Sequence, residues 1–130
     1  MISTVKTIII FSALITNCCY SQLKNKSVAI LEFRSSGGLA TTELSTLTNR
    51  FRGLLVQTNV FKVLEREEMK QILKEQDFAI SDACNTMECA VQVGQLLGVQ
   101  EMIAGDIGKL GKVYTIDLRV IDVQTGTLLK

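Results

Sequence analysis

The stretch Lys112-Val-Tyr-Thr-Ile-Asp-Leu-Arg-Val-Ile-Asp122 leaves this chain few ways to fold. Tyr114, Ile116, Leu118 and Val120 fall on one side of an extended backbone, and Thr115, Asp117 and Arg119 on the other. That period of two predicts a strand with one buried and one wet face. Turn signals bracket it: Gly108-Lys-Leu-Gly111 before, Gln124-Thr-Gly126 after. With Met102-Ile-Ala104 upstream and Leu128-Leu129 downstream, the expectation is an antiparallel meander. This strand is its middle member, and the helices pack on its apolar face.

Length and composition bound the rest. The 130 residues suffice for one domain and one core, and 47% hydrophobic against 21% charged residues is globular usage. The formal net charge is +1, with one of the cations, Lys6, near the amino terminus. No basic surplus points to nucleic acid. There is no His, which removes the commonest general base and the commonest metal ligand. No catalytic residue, no cofactor and no metal is expected.

Lys6 precedes the short apolar run Thr7-Ile-Ile-Ile-Phe-Ser-Ala-Leu-Ile15, the pattern of a secretory signal. The run falls short of the ~20 residues of a membrane span. Residues 1–21 are therefore expected to be a signal peptide and 22–130 the mature domain. Two processing readings stay open. Cleavage after Ser21 puts Cys19 and Ser21 at the small-residue positions; a lipoprotein signal would use Ile15-Thr-Asn-Cys18, with Cys18 acylated.

In the mature chain, Ser27-Val-Ala-Ile-Leu-Glu-Phe33 is nearly continuous apolar sequence and reads as a central strand covered on both faces. Ser35-Ser-Gly-Gly38 breaks it; it lacks the endings of a phosphate-binding loop and reads as a plain connection. Thr41-Thr-Glu43 opens a helix, its hydroxyls placed for capping. Leu44, Leu47, Phe51, Leu54 and Leu55 form its apolar stripe, with Arg50 and Arg52 on a solvated face. Val60-Phe-Lys-Val-Leu64 is a second strand, and Glu65-Arg-Glu-Glu68 starts a helix carrying Met69, Ile72 and Leu73 inward. Those acids suit the helix dipole better than acid–base work. Residues 77–88 read as a loop. A third helix follows, with Ala90, Val93, Leu96 and Leu97 inward, Gly94 at a close approach and Gly98 as its stop. Cys84 and Cys89 are expected to form a structural disulfide in an oxidising compartment. A thiol oxidoreductase is the weaker reading, since the spacing is not that of thioredoxin-like motifs. The resulting class is α/β: a mixed sheet of about five strands with three helices.

The order of motifs is itself informative. Val28-Ala-Ile-Leu-Glu-Phe33, a long helix, Phe61-Lys-Val-Leu-Glu-Arg66, Met69-Lys-Gln-Ile-Leu-Lys-Glu-Gln76, the Cys84/Cys89 loop, Val93-Gly-Gln-Leu-Leu-Gly98, Ile103-Ala-Gly-Asp106 and Ile116-Asp-Leu-Arg-Val-Ile-Asp122 follow one another. This order resembles the periplasmic domain of the curli assembly/transport component CsgG. It is also similar to relatives with a TolB-amino-terminal-like fold, among them lipoprotein activators of penicillin-binding proteins. The resemblance spans residues 27 to 130. It implies an exported, non-enzymatic protein of the periplasm or outer membrane whose partners are other envelope proteins. For CsgG itself it implies lipid anchoring and a ring-forming secretion channel walled by long amphipathic hairpins. No spare sequence here supplies such hairpins. The apolar side of the Val113-to-Ile121 segment is expected to cover the first helix, so no membrane pore is expected from this chain, which reads as a truncated or non-channel relative.

Overall fold

The computed structural model describes residues 26–79, 84 and 86–130; the expected leader, with Cys18, lies outside them. In chain order the elements are β1 (Lys26–Ile30), β2 (Arg34–Ser35), α1 (Thr41–Gln57), β3 (Phe61–Val63), α2 (Arg66–Glu75), α3 (Met87–Leu97), β4 (Glu101–Leu110) and β5 (Val113–Asp122). The α/β class and the mixed five-stranded sheet with three helices are as expected. β1 lies between β3 and β4, parallel to both. β5 runs antiparallel along the other edge of β4, in unbroken register from Glu101↔Asp122 to Leu110↔Val113.

The helices do not share one face, as the meander reading has it. β1 is apolar on both sides and needs two covers. Val28 and Ile30 pack with Phe33, Ile103 and Ile107 against Leu44, Phe51 and Leu55 of α1. Ala29 and Leu31 pack with Met102 and Ile121 against Met69 and Leu73 of α2 and Ala90, Val93 and Leu97 of α3. Each fully buried aliphatic side chain contributes about 1.5–3 kcal/mol, so these two layers hold the domain together.

The expected break after Phe33 is an interruption rather than an end. Ile30 pairs with Ile103 and Arg34 with Asp106, so residues 31–33 oppose only Ala104 and Gly105. That one extra residue is a bulge. It shifts the alternation, turning Phe33 to the α1 side with Ile30. Ser35, the first residue of the expected breaker Ser35-Ser-Gly-Gly38, belongs with Arg34 to the short strand β2.

α1 seals this interruption. The Phe33 N–H donates to Thr48 Oγ1 at 3.0 Å, and Arg52 Nη2 donates to the Ile30 carbonyl at 3.2 Å. Arg52 Nη1 also donates to Asn49 Oδ1 at 2.8 Å. The solvated face expected for Arg52 is therefore corrected: the residue is 5% exposed. Burial lowers its pKa from the usual guanidinium value, and the Glu32 carboxylate opposes that shift. The inward arc of α1 is Leu44, Thr48, Phe51, Arg52 and Leu55, while Leu47 and Leu54 face out. The cap differs too: Ala40 precedes the helix and its N–H donates to the Glu43 carboxylate at 2.8 Å, without help from the Thr hydroxyls.

α3 begins at Met87, inside the expected loop, with the Thr86 hydroxyl accepting from the Cys89 N–H at 3.2 Å. Gly98 ends it in the left-handed region, as expected. Gly94 has the expected close packing: a Cβ there would lie 2.5 Å from Val123 Cγ2 and 2.8 Å from Met102 Cγ. The expected third meander strand begins where expected, with the antiparallel bridge Ile121↔Leu128 and flanking backbone bonds from β5 to residues 127–130. A turn delivers it, in which the Asp122 carboxylate accepts from the Thr125 N–H at 2.8 Å and hydroxyl at 3.0 Å.

Two outcomes follow. Thr48→Val keeps the shape but strands the Phe33 N–H, and should lower the unfolding free energy by about 1–3 kcal/mol in urea titrations. Thr46→Val, on the exposed side, should cost far less; equal losses would contradict the seal. Asp122 is held below its ordinary carboxylate pKa, first by the Thr125 N–H. A depressed pKa stabilises the fold above the unfolded value, near 3.8, and the benefit fades as pH falls further. Asp122→Asn should thus flatten the acid limb of stability against pH below about 4; an unchanged limb in urea midpoints would refute this role.

Candidate functional site: an apolar groove beside the β4–β5 hairpin

The hairpin outruns its neighbours. β1 pairs with residues 101–103 of β4 and β2 with residues 106–107, after which β4 has little beside it except β5. The last backbone bond from that side is the Lys109 N–H to the Gly37 carbonyl, at 3.1 Å. Among the described residues the far half of the hairpin is therefore a two-stranded ribbon whose α1-facing side is only partly covered.

Register places Tyr114, Ile116, Leu118 and Val120 opposite Lys109, Ile107, Gly105 and Ile103. They share the α1 face, as the alternation predicts, yet only Val120 packs into the core. Tyr114 is 54% exposed and Ile116 is 62% exposed. The expected covering of the first helix by this strand is thereby corrected, and with it the premise from which the absence of a pore was expected. Coverage depends on helix length and position, and α1 crosses over β1, not over the hairpin tip.

Between α1 and this ribbon lies a cavity of about 490 Å³. Ile107 is its buried floor, Leu39 and Leu47 form one wall, and Tyr114 and Ile116 the other. Thr42, Glu43 and Thr46 give it a polar rim. Lys109 Nζ stands 5.4 Å from the Tyr114 ring centroid and orients that ring. Next to the groove, Gly105 makes room for the core: a Cβ there would lie 2.7 Å from the Phe33 ring and 3.0 Å from Leu118. Such a surface can bury apolar side chains of a partner. It presents no nucleophile with an adjacent base.

A second recess of about 580 Å³ runs along α2 past Glu32, Arg66, Lys70, Lys74 and Asp77. It is charged, with Arg66 paired to Glu32 at 3.3 Å and Lys70 to Glu67 at 3.0 Å. Of the acids at the start of α2, Glu67 is thus used locally. On this same α2–α3 face of the sheet, opposite the groove, Asp106 binds Arg34 at 2.6 Å and Arg119 at 3.0 Å, tying β2, β4 and β5 together. Cys84 and Cys89 are joined there as a disulfide, with Cα atoms 5.3 Å apart. Among the described residues no group of three His, Cys, Asp or Glu side chains gathers as a metal site. No described helix is long and apolar enough to cross a membrane. The sequence gives no warning of Arg52, because a charged residue is counted outside any apolar stripe. The groove was legible only as the strand's apolar side.

Comparison with known proteins agrees with the architecture. Residues 17–113 match the family model of the curli production assembly/transport component CsgG. A search of curated proteins gave no match. The LpoB C-terminal domain from Salmonella enterica superposes with a TM-score of 0.64 at 16% identity, covering 81% of this chain and 77% of that one. Lipoprotein GNA1162 from Neisseria meningitidis gives 0.62 at 13% identity, over 80% and 74% of the two chains. TolB from Acinetobacter baumannii gives 0.53 at 16% identity, over 82% of this chain and 22% of that one. At such identities the solved structures establish a shared fold, and with the match across residues 17–113 the chain belongs to the CsgG family.

Proposed function

We propose that this chain is an exported, non-enzymatic cell-envelope protein that binds an envelope protein through the groove between α1 and the β4–β5 hairpin. The occupant is a segment presenting apolar side chains. One observation carries the reading: Leu39, Leu47, Tyr114 and Ile116 line one recess that the described helices leave open. Monomeric proteins seldom expose contiguous apolar surface without a use for it. Family membership supports the envelope setting, and Lys6 with its apolar run supports export. Processing by cleavage after Ser21 or acylation of Cys18 remains part of the proposal, as does assembly of copies into a ring.

A second reading has support from the LpoB likeness: activation of a cell-wall synthase, a penicillin-binding protein. It uses the same groove with a particular partner.

A photo-reactive residue at Leu47 in the full chain, expressed in envelope-bearing cells, tests both. The expected result is a discrete adduct with a second protein, absent when the same residue replaces Gln71 on exposed α2 and at least tenfold weaker with Tyr114→Asp. No adduct, or the same adduct from both positions, refutes the groove. An adduct that carries a fluorescent penicillin label selects the synthase reading. A chain retaining Met1 and confined to the cytoplasm refutes export.

A further inference from the structure

The Cys84–Cys89 disulfide stands in electropositive surroundings that a purely structural bond does not require. Both residues are half-buried against the layer of Ala90, Val93 and Leu97. Cys89 is in the first turn of α3, where backbone N–H groups lack partners within the helix. The Thr86 hydroxyl accepts from the Cys89 N–H, which leaves those of Met87 and Glu88 at the positive end of the helix. Cys84 borders a recess of about 10 Å³ that it shares with Glu32, Arg34 and Arg119. Asp106 accepts from one nitrogen of each of these two guanidiniums. A guanidinium has five N–H donors, so both keep others. Among the described residues the charges gathered here are Arg34, Arg119 and Arg66 against Asp106 and Glu32, one positive charge in excess. The exposed Glu88 carboxylate works against the helix end, from the solvent side.

We propose that this bond is a reversible thiol-exchange site, opened by a dithiol reductant, with Cys84 leaving as a thiolate held by the Arg34 and Arg119 guanidiniums. A thiolate of the dithiol attacks Cys89 Sγ. The Sγ–Sγ bond breaks and its electron pair goes to Cys84. The dithiol's second thiolate then attacks its own first sulfur and releases Cys89. The dithiol ends as a disulfide, its two electrons on the chain, one proton on Cys89 and the other in solvent. Cations and a helix start lower a thiol pKa, and whatever stabilises the reduced form makes a disulfide easier to reduce. The fold tolerates the opening. A bond between residues only 5 apart restrains the unfolded chain little. α3 stays anchored by Ala90, Val93 and Leu97, and by Gly94 against Met102 and Val123. The exchange modifies this chain itself, on the face opposite the groove, so it holds whether or not the groove takes another protein.

The processed chain from exporting cells, equilibrated with mixtures of reduced and oxidised dithiothreitol, tests this. Thiols are trapped by alkylation and read by mass spectrometry on the peptides carrying Cys84 and Cys89. The bond should open while the chain is folded, and the reduced chain should still unfold cooperatively in urea. Arg119→Gln should raise the ratio of reduced to oxidised dithiothreitol at half-reduction at least tenfold. With Cys89→Ser, alkylation of Cys84 should have its pH midpoint below the ~8.5 of a free cysteine. That midpoint should rise with Arg119→Gln and stay low with Arg119→Lys, a split that a merely structural arginine would not produce. Arg34→Gln gives the same reading should Arg119→Gln fail to fold. A bond that opens only where the chain unfolds, a Cys84 midpoint at or above ~8.5, or equal midpoints for the two Arg119 variants would each overturn the proposal.

Discussion

The structure depends on how α1 closes the interruption between β1 and β2. One extra residue in β1–β2 relative to β4 frees a backbone carbonyl at Ile30 and an N–H at Phe33. Left unpaired and buried, each such group costs about 1–3 kcal/mol. Thr48 and Arg52 supply the missing acceptor and donor from one helix face. The same bulge sends Phe33 into the α1 layer, where its ring lies 5.3 Å from that of Phe51 and fills the space left by Gly105. A backbone irregularity, a helix and a glycine are thus parts of one arrangement.

That arrangement also fixes where cover stops. α1 is held over β1 and the interruption, so the sheet beyond Ile107 receives little help from it. β4 and β5 nevertheless continue as a paired ribbon, and their α1-facing side remains apolar. The groove is the consequence of one geometric fact: a hairpin longer than the layer packed on it. The opposite side of the same ribbon is tied at its base by Asp106 between Arg34 and Arg119.

Solved domains with 13–17% identity share this fold. That is the behaviour expected when apolar patterning, not particular side chains, selects an architecture.

From the sequence alone, the elements and their faces follow: β1 apolar on both sides, the alternation of β5, the inward residues of α2 and α3, Gly94 as a close contact and Gly98 as a stop. These depend on local periodicity, which sequence carries directly. Arg52 in the core, β2 running into an apparent breaker, helices on both faces and the bareness of Tyr114 and Ile116 were decided only by tertiary structure. The reason is physical. Whether a polar group can be buried depends on an unpaired partner brought from distant chain, as Ile30 is for Arg52. Whether an apolar face is covered depends on how far another element reaches, and α1 ends its cover before the hairpin ends.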